Sequence, residues 1–174
     1  MKSMVSKIHK LVPQHLCIDD IYIVCIGSVR LTGDSFGPHV GTLLRCRGIK
    51  NVIGTVGNPL HAMNLQERLE IEIPAGVFTI AVDACLGNSS SVGKILVEDG
   101  PIRPGAGVGK DLPPVGNMSI KAIVNEAGFM EYFVLKNTQL HLVMNMAEKT
   151  ARALKKALTL RTAFPEVVVG SEFA

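Results

Sequence analysis

Residues 21–27 have the sequence Ile-Tyr-Ile-Val-Cys-Ile-Gly, a run of mostly β-branched and apolar residues without polar alternation. Such a run is typical of a strand that is covered on both faces, as in a parallel sheet between layers of helices. A polar loop follows at 28–35, and Pro38 suits the first turn of a helix that continues through Leu44 and Cys46. This order of strand, loop and helix favours an open α/β fold.

Alternating strand and helix signals continue along the rest of the chain. Further strands are predicted at 51–57, 77–83, 92–98 and 119–124, and further helices at 1–12, 61–69 and 138–158. The stretch 129–135 fits a helix or a strand, and the Pro- and Gly-rich segment 99–114 is predicted to be a long irregular loop. The alternation predicts a three-layer α/β/α sandwich with a mostly parallel sheet. Nothing marks a second domain, so residues 1–174 are expected to form one.

The composition favours a globular protein and argues against several classes of function. Of the 174 residues, 47% are hydrophobic and 19% are charged, which excludes a disordered chain. The net charge of +3 comes from dispersed basic residues, so no nucleic-acid partner is expected. No run approaches the roughly 20 apolar residues of a membrane-spanning helix, and no segment resembles a signal peptide. We therefore expect a cytoplasmic protein with no membrane partner.

Metal and nucleotide motifs are not recognisable in the sequence. The chain has four cysteines, at Cys17, Cys25, Cys46 and Cys85. They form no C-x-x-C pair and no Cys/His cluster with zinc-site spacing. The Gly-rich segment 105–110 fails as a phosphate loop, because Pro104 stands where Gly is required and Asp111 replaces Ser or Thr. Neither a metal nor a cofactor is predicted.

Two acidic residues occupy equivalent places in the predicted sheet. Asp34 follows the strand at 21–27, in the sequence Gly-Asp-Ser-Phe-Gly-Pro, and Asp83 ends the strand at 77–83. Parallel strands end at the same edge of a sheet, so both carboxylates are expected at one rim, where open α/β folds build their sites. Two such acids can share a proton, hold a metal or activate a water molecule.

Each candidate residue also has a simpler explanation. Asp34 or Ser35 would serve as an ordinary cap of the following helix. The functional explanation gains from Arg30, a cation in the same loop that would keep the carboxylate ionised. His61 is a conceivable base or metal ligand, although a His at the start of a helix is more often a cap or a hydrogen-bond donor. Cys85 is more often a packing residue than a nucleophile, because nothing nearby lowers its pKa.

From about residue 21 to 149 the sequence resembles the YyaC-like sporulation proteins, a family of proposed spore proteases. The resemblance rests on blocks that occur in one order: Ile26-Gly27, Arg30, Thr32-Gly33-Asp34-Ser35, Gly37-Pro38, Asn58-Pro59, His61-Ala62, Asn64-Leu65, Asp83-Ala84-Cys85-Leu86-Gly87, Gly105-Ala106-Gly107-Val108, Leu112-Pro113-Pro114-Val115-Gly116, Ile123-Val124-Asn125 and Gly128-Phe129-Met130. The sequence departs from the family pattern at Val29 and Leu31, where polar residues are expected in the first loop, and at Gly57 before Asn58. These departures bear on substrate preference.

This family is similar in turn to the germination protease, which degrades small acid-soluble spore proteins, and more distantly to hydrogenase-maturation endopeptidases. The similarity implies a phosphorylase/hydrolase-like fold and matches Asp34 and Asp83 to the catalytic aspartates of the germination protease. Arg30 and His61 are expected to support them or to bind substrate. In the maturation enzymes the corresponding acids bind nickel together with a His, and no residue of this chain is matched to that His.

The resemblance therefore implies a hydrolase of sporulation or germination, in the cytoplasm of a forespore or sporulating cell. Its expected substrate is a protein or peptide, with small acid-soluble spore proteins as candidates. Two alternatives stay open: a non-catalytic binding or regulatory module on the same fold, and a metal-dependent endopeptidase of the maturation type. Apolar segments at both ends of the chain permit a homo-oligomer without requiring one.

Overall fold

A computed structural model describes residues 2–104 and 112–160, so part of the predicted loop at 99–114 and the predicted tail lie outside the described residues. The helices within these residues are α1 (Lys2–Leu11), α2 (Phe36–Cys46), α3 (Leu65–Glu72), α4 (Glu131–Lys136) and α5 (Leu140–Thr159). The strands are β1 (Ile21–Cys25), β2 (Val52–Ile53), β3 (Phe78–Gly87), β4 (Ile95–Asp99) and β5 (Met118–Glu126). None of these helices is long and apolar enough to cross a membrane.

The five strands form one sheet in the order β2-β1-β3-β5-β4. β1 pairs in parallel with β2 and β3, and β3 pairs in parallel with β5. β4 runs antiparallel to β5. The connection from β3 to β4 holds only a short 3-10 turn, Ser89–Ser91, and a parallel return requires a much longer crossover. The predicted mostly parallel sheet is therefore confirmed, with one reversed strand at its edge.

The central strands bury both of their faces. Side chains alternate along a strand, so neighbouring residues enter different layers. Ile23 of β1 and Val82 of β3 belong to the larger core cluster, which includes residues of α1, α2 and α5. Val24 and Ala81, each one position away, belong to a second cluster with Leu65 of α3. Helices thus cover both sides of the sheet, and the predicted three-layer sandwich is confirmed.

Several element boundaries differ from the sequence prediction. β3 does not end at 83 but continues to Gly87, because β5 pairs with it that far. The helix predicted at 61–69 begins only at Leu65. The ambiguous stretch 129–135 contains a helix, α4, rather than a strand. The first of these differences changes the position of Asp83, which lies within a strand and not at its end.

Candidate active site

The amino end of α2 lies tightly against the carboxyl end of β1. A Cβ atom at Gly37 would lie 2.0 Å from the carbonyl oxygen of Ile26, so only glycine fits this contact. Gly27, at φ +139°, turns the chain away from the strand, and a Cβ atom there would lie 2.1 Å from the backbone oxygen of Asp34. The strand end, the helix and the turn that precedes the helix are therefore fixed relative to one another.

Asp34 lies in the short 3-10 turn Gly33–Ser35 and is partly buried. Ser35 occupies the N-cap position of α2, but its Oγ donates to the carbonyl oxygen of Thr32 at 2.6 Å and makes no cap hydrogen bond. The carboxylate of Asp34 accepts a hydrogen bond from the backbone N–H of Ser28. The helix-cap explanation of this motif therefore does not hold, and Asp34 is directed back towards the end of β1.

Asp83 lies in β3, one residue beyond the last pair that β3 makes with β1. That pair joins Cys25 and Val82, and the N–H of Ile26 donates to the oxygen of Val82 at 2.8 Å. Alternation along β3 places Asp83 on the same face as Ala81, the face that α3 covers. Its Oδ1 accepts a hydrogen bond from the N–H of Ala84 at 2.8 Å. The carboxyl group thus lies where β1 has just left the sheet.

His61 reaches the same edge from the other side of β1. The chain after β2 returns to the sheet at Leu60, which forms a parallel bridge with Ile26 and accepts a hydrogen bond from the N–H of Gly27 at 2.8 Å. The N–H of His61, directly after Leu60, donates to Oδ1 of Asn64 at 2.8 Å. The structure therefore brings three predicted residues, His61, Asp34 and Asp83, to one edge of the sheet.

The two carboxyl groups interact electrostatically, but their surroundings differ. Burial raises the pKa of Asp83 well above its ordinary value, and the charge of Asp34 raises it further. Burial also raises the pKa of Asp34, but the hydrogen bond from Ser28 and the charge of His61 lower it. Asp83 is thus the carboxyl group that keeps its proton, and Asp34 is the one that ionises first.

Arg30, the fourth predicted site residue, is placed differently. It is exposed in the loop between β1 and α2, and its N–H donates to Oγ of Ser28 at 3.2 Å. Among residues 2–104 and 112–160, no ion pair joins its guanidinium group to Asp34. Arg30 thus lies at the rim and does not set the charge of the carboxyl pair.

Cys85 and Lys121 lie next to Asp83 on the same face of the sheet. Burial raises the pKa of the Cys85 thiol, and the ammonium group of Lys121 lowers it less. The thiol therefore stays protonated, as a packing residue would. Lys121 is the register partner of Asp83 on β5 and forms an ion pair with Glu98 of β4 at 2.5 Å. Sequence reasoning missed Lys121, since only the strand register places it beside Asp83.

α4 forms a wall beside the turn that carries Asp34. A Cβ atom at Gly33 would lie 2.8 Å from side-chain atoms of both Leu135 and Thr138, so the turn and this segment are in close contact. Nδ2 of Asn125, near the end of β5, donates to the oxygen of Val134 and to Oγ1 of Thr138, both at 3.2 Å. The outer side of the wall is apolar and open to solvent; its exposed side chains are Phe129, Met130, Tyr132 and Phe133.

A nickel site requires a set of protein ligands that converge on one point. Within the described part of the chain, no group of three His, Cys, Asp or Glu side chains is arranged to hold a metal ion. Asp34, Asp83 and His61 therefore do not form such a set in this structure.

The chain has the α/β fold of the hydrogenase maturation proteases. The chain is similar to the [NiFe] hydrogenase maturation protease HycI from Thermococcus kodakarensis KOD1, with a TM-score of 0.52 and 18% identity, over 80% of this chain and 92% of that one. It is also similar to the maturation protease HybD from Thermococcus kodakarensis, with a TM-score of 0.51 and 14% identity, over 78% and 97% of the two chains. Such low identities show the fold alone.

The chain belongs to the DUF1256 family, described as a protein of unknown function, whose model matches residues 1–153. It is 51% identical over 146 residues to the uncharacterized protein YyaC of Bacillus subtilis strain 168. The aligned region covers 82% of this chain and 70% of YyaC. The resemblance to the YyaC-like family is therefore confirmed, as is the structural relation of this chain to maturation proteases.

Proposed function

We propose that the protein is an endopeptidase that cleaves a protein chain with Asp34 and Asp83, in the manner of the germination protease. One observation carries the proposal: two acids from different elements meet at one edge, and the charge of Asp34 raises the pKa of Asp83. Acids whose pKa values are pushed apart can divide the roles of general base and general acid. The shared fold with maturation proteases is consistent with peptide hydrolysis.

The ionisation states suggest the direction of each proton transfer. Water attacks the scissile carbonyl carbon while Asp34 takes a proton from the water and Asp83 gives its proton to the carbonyl oxygen. In the second step the C–N bond breaks, the proton on Asp34 moves to the leaving amine, and the hydroxyl proton of the intermediate returns to Asp83. The hydrogen bond from the N–H of Ser28 and the electrostatic influence of His61 both favour the ionised form of Asp34.

The biological setting is part of the proposal. The enzyme would act in the cytoplasm of a forespore or sporulating cell, with small acid-soluble spore proteins as candidate substrates. The support for this setting is the resemblance of the sequence blocks around both aspartates to the spore-protease family. Arg30, exposed beside the site, is assigned to substrate binding rather than to the chemical step.

The test compares cleavage of a purified small acid-soluble spore protein by the wild type and by Asp34→Asn and Asp83→Asn. Each isosteric change is expected to lower kcat at least about 100-fold, because each removes one proton-transfer group. Asp99→Asn, at an exposed acid at the end of β4, is the matched control and should leave cleavage unchanged. Unreduced cleavage by both site variants would show that the mechanism is wrong.

A second candidate function is a non-catalytic module that binds a protein partner. The exposed apolar side chains on and before α4, with Phe129 at 94% and Tyr132 at 58% exposure, favour it, since apolar clusters on a surface mark interaction sites. Normal sporulation in the double Asn variant, with no cleavage by the wild type, would select this function. Loss of cleavage in a chelator, with recovery on adding a divalent metal, would instead select the metal-dependent endopeptidase.

A further inference from the structure

β3 continues for five residues beyond its last partner in β1. The pairing with β1 ends at Val82, whereas β3 itself runs to Gly87. On its other side β3 remains paired with β5 over these residues, up to the pair of Gly87 and Glu126. Residues 83–87 therefore have one paired side and one side from which the neighbouring strand has departed. We call this second side the free edge of β3.

The backbone groups that point to the free edge follow from the alternation of the strand. The carbonyl of Val82 faces β1, because it accepts the N–H of Ile26. The carbonyl of Gly87 faces β5, because it accepts the N–H of Ala127 at 2.7 Å. Successive peptide groups alternate between the two sides, so the N–H and C=O groups of Ala84 and Leu86 point to the free edge.

Within the described residues, only one of these four groups has a hydrogen-bond partner: the N–H of Ala84 is bonded to Oδ1 of Asp83. No described strand pairs with this side of β3 over residues 83–87, which are half-buried. A row of unpaired N–H and C=O groups is a template on which another extended chain adds as a strand. Natural peptide-binding proteins use this mode: main-chain hydrogen bonds give affinity, and pockets for alternate side chains give specificity.

We propose that an extended segment of the substrate pairs with the free edge of β3, a proposal that rests on the endopeptidase function proposed above. The free edge begins at Asp83. A strand added there would therefore lie next to the two carboxyl groups, and no loop would have to move to bring them together.

The pairing of a bound segment with Ala84 would also change the pKa of Asp83. The N–H of Ala84 lowers the pKa of Asp83 by donating to its carboxylate. A carbonyl of the bound segment that takes this N–H removes the lowering influence and favours the protonated carboxyl group. The proposed mechanism requires Asp83 in that form, so binding an extended chain would also prepare the acid. Pairing at Ala84 therefore helps Asp83 to keep the proton that the proposed mechanism requires.

The experiment uses the Asp34→Asn variant, whose cleavage is suppressed, and a random peptide library as the probe. Peptides that are selected are resynthesised with one N-methyl group at each position in turn, and their affinities are measured. A strand on the free edge uses only every second N–H, so N-methylation should weaken binding about tenfold at alternate positions and little at the positions between. The bound state should slow amide exchange at Leu86 and leave Cys85 unchanged, since the N–H of Cys85 already faces β5.

The outcomes separate this proposal from the proposed function. A failure to select peptides, or an N-methyl scan without alternation, overturns pairing at the free edge, and wild-type cleavage of a spore protein would then still support the endopeptidase. An alternating scan with no cleavage by the wild type supports the edge and overturns the endopeptidase. Protection of Leu86 that rises with protein concentration and without peptide would show that a second copy is the occupant, which also overturns the proposal.

Discussion

The turn that carries Asp34 and the strand that carries Asp83 give the same side chain opposite surroundings. In the turn, the backbone N–H of Ser28 and the charge of His61 both stabilise a carboxylate. In β3, burial raises the pKa of Asp83, and the negative charge of Asp34 raises it further. The pKa values of the two carboxyl groups are therefore influenced differently where the chain turns and where it stays extended, and the proposed mechanism depends on that difference.

The largest effect is expected from a substitution at Gly37, whose contact with Ile26 fixes the position of the turn that carries Asp34. Gly37→Ala places a Cβ atom 2.0 Å from the backbone oxygen of Ile26, and neither backbone can move freely at the junction of α2 and β1. We expect a loss of about 2–3 kcal/mol in the free energy of unfolding, measured by urea denaturation. Gly128→Ala is the control, because a Cβ atom there meets no atom within 4 Å. Equal stability of the two variants would contradict the close approach of helix and strand.

The strand side of the contrast is tested by the pH dependence of stability. The pKa of Asp83 is raised in the folded state, so its contribution to stability is present below its ordinary pKa of about 4 and is lost as the pH rises through the folded-state pKa. Asp83→Asn removes this loss, and the variant should become more stable than the wild type above about pH 4, by on the order of 1 kcal/mol. Urea unfolding across a pH series measures the difference, with Asp99→Asn as the matched variant. A difference that does not grow with pH would contradict a protonated Asp83.

The turn that carries Asp34 is tested by replacing His61, which lowers the pKa of Asp34. His61→Gln takes away an influence that lowers the pKa of Asp34, so this pKa should rise. If Asp34 is the base, the acidic limb of the pH profile of kcat/KM moves to higher pH, and activity below the limb falls about tenfold for each pH unit of displacement. His15→Gln, at an exposed position, is the control. An unmoved limb would show that Asp34 is not the ionised base or that His61 does not act on it.

Much of this fold could be predicted from local sequence, because buried strands and amphipathic helices have distinct patterns. The apolar run at 21–27 and the stripe of α5 gave the right elements, and the order of elements gave the layers. The end of β3 could not be predicted locally. Its continuation to Gly87 depends on pairing with β5, which is distant in sequence.

The candidate site also combines residues that local sequence predicts with residues that only the pairing of distant strands brings together. Asp34 and Asp83 could be predicted from the sequence because an acidic residue is unusual in or just after a strongly apolar segment. Lys121 carried no such signal, since a lysine in a strand is ordinary and only the register places it beside Asp83. The role of Ala84 as a hydrogen-bond donor was equally hidden, because the direction of a peptide group depends on which neighbouring strand has ended.

Arg30 gives the smallest and most selective test of the contrast between turn and strand. Its side chain is exposed and forms no ion pair with Asp34 among the described residues, so the charge of the carboxyl pair should not depend on it. Arg30→Gln should raise KM by about threefold, the usual scale of a solvent-exposed charge contact, with kcat and the acidic limb unchanged. Lys50→Gln, another exposed cation, is the control and should leave KM unchanged. A shifted limb in Arg30→Gln would mean that Arg30 acts on Asp34 in the free enzyme, so that Arg30 would join Ser28 and His61 in lowering the pKa of that carboxyl group.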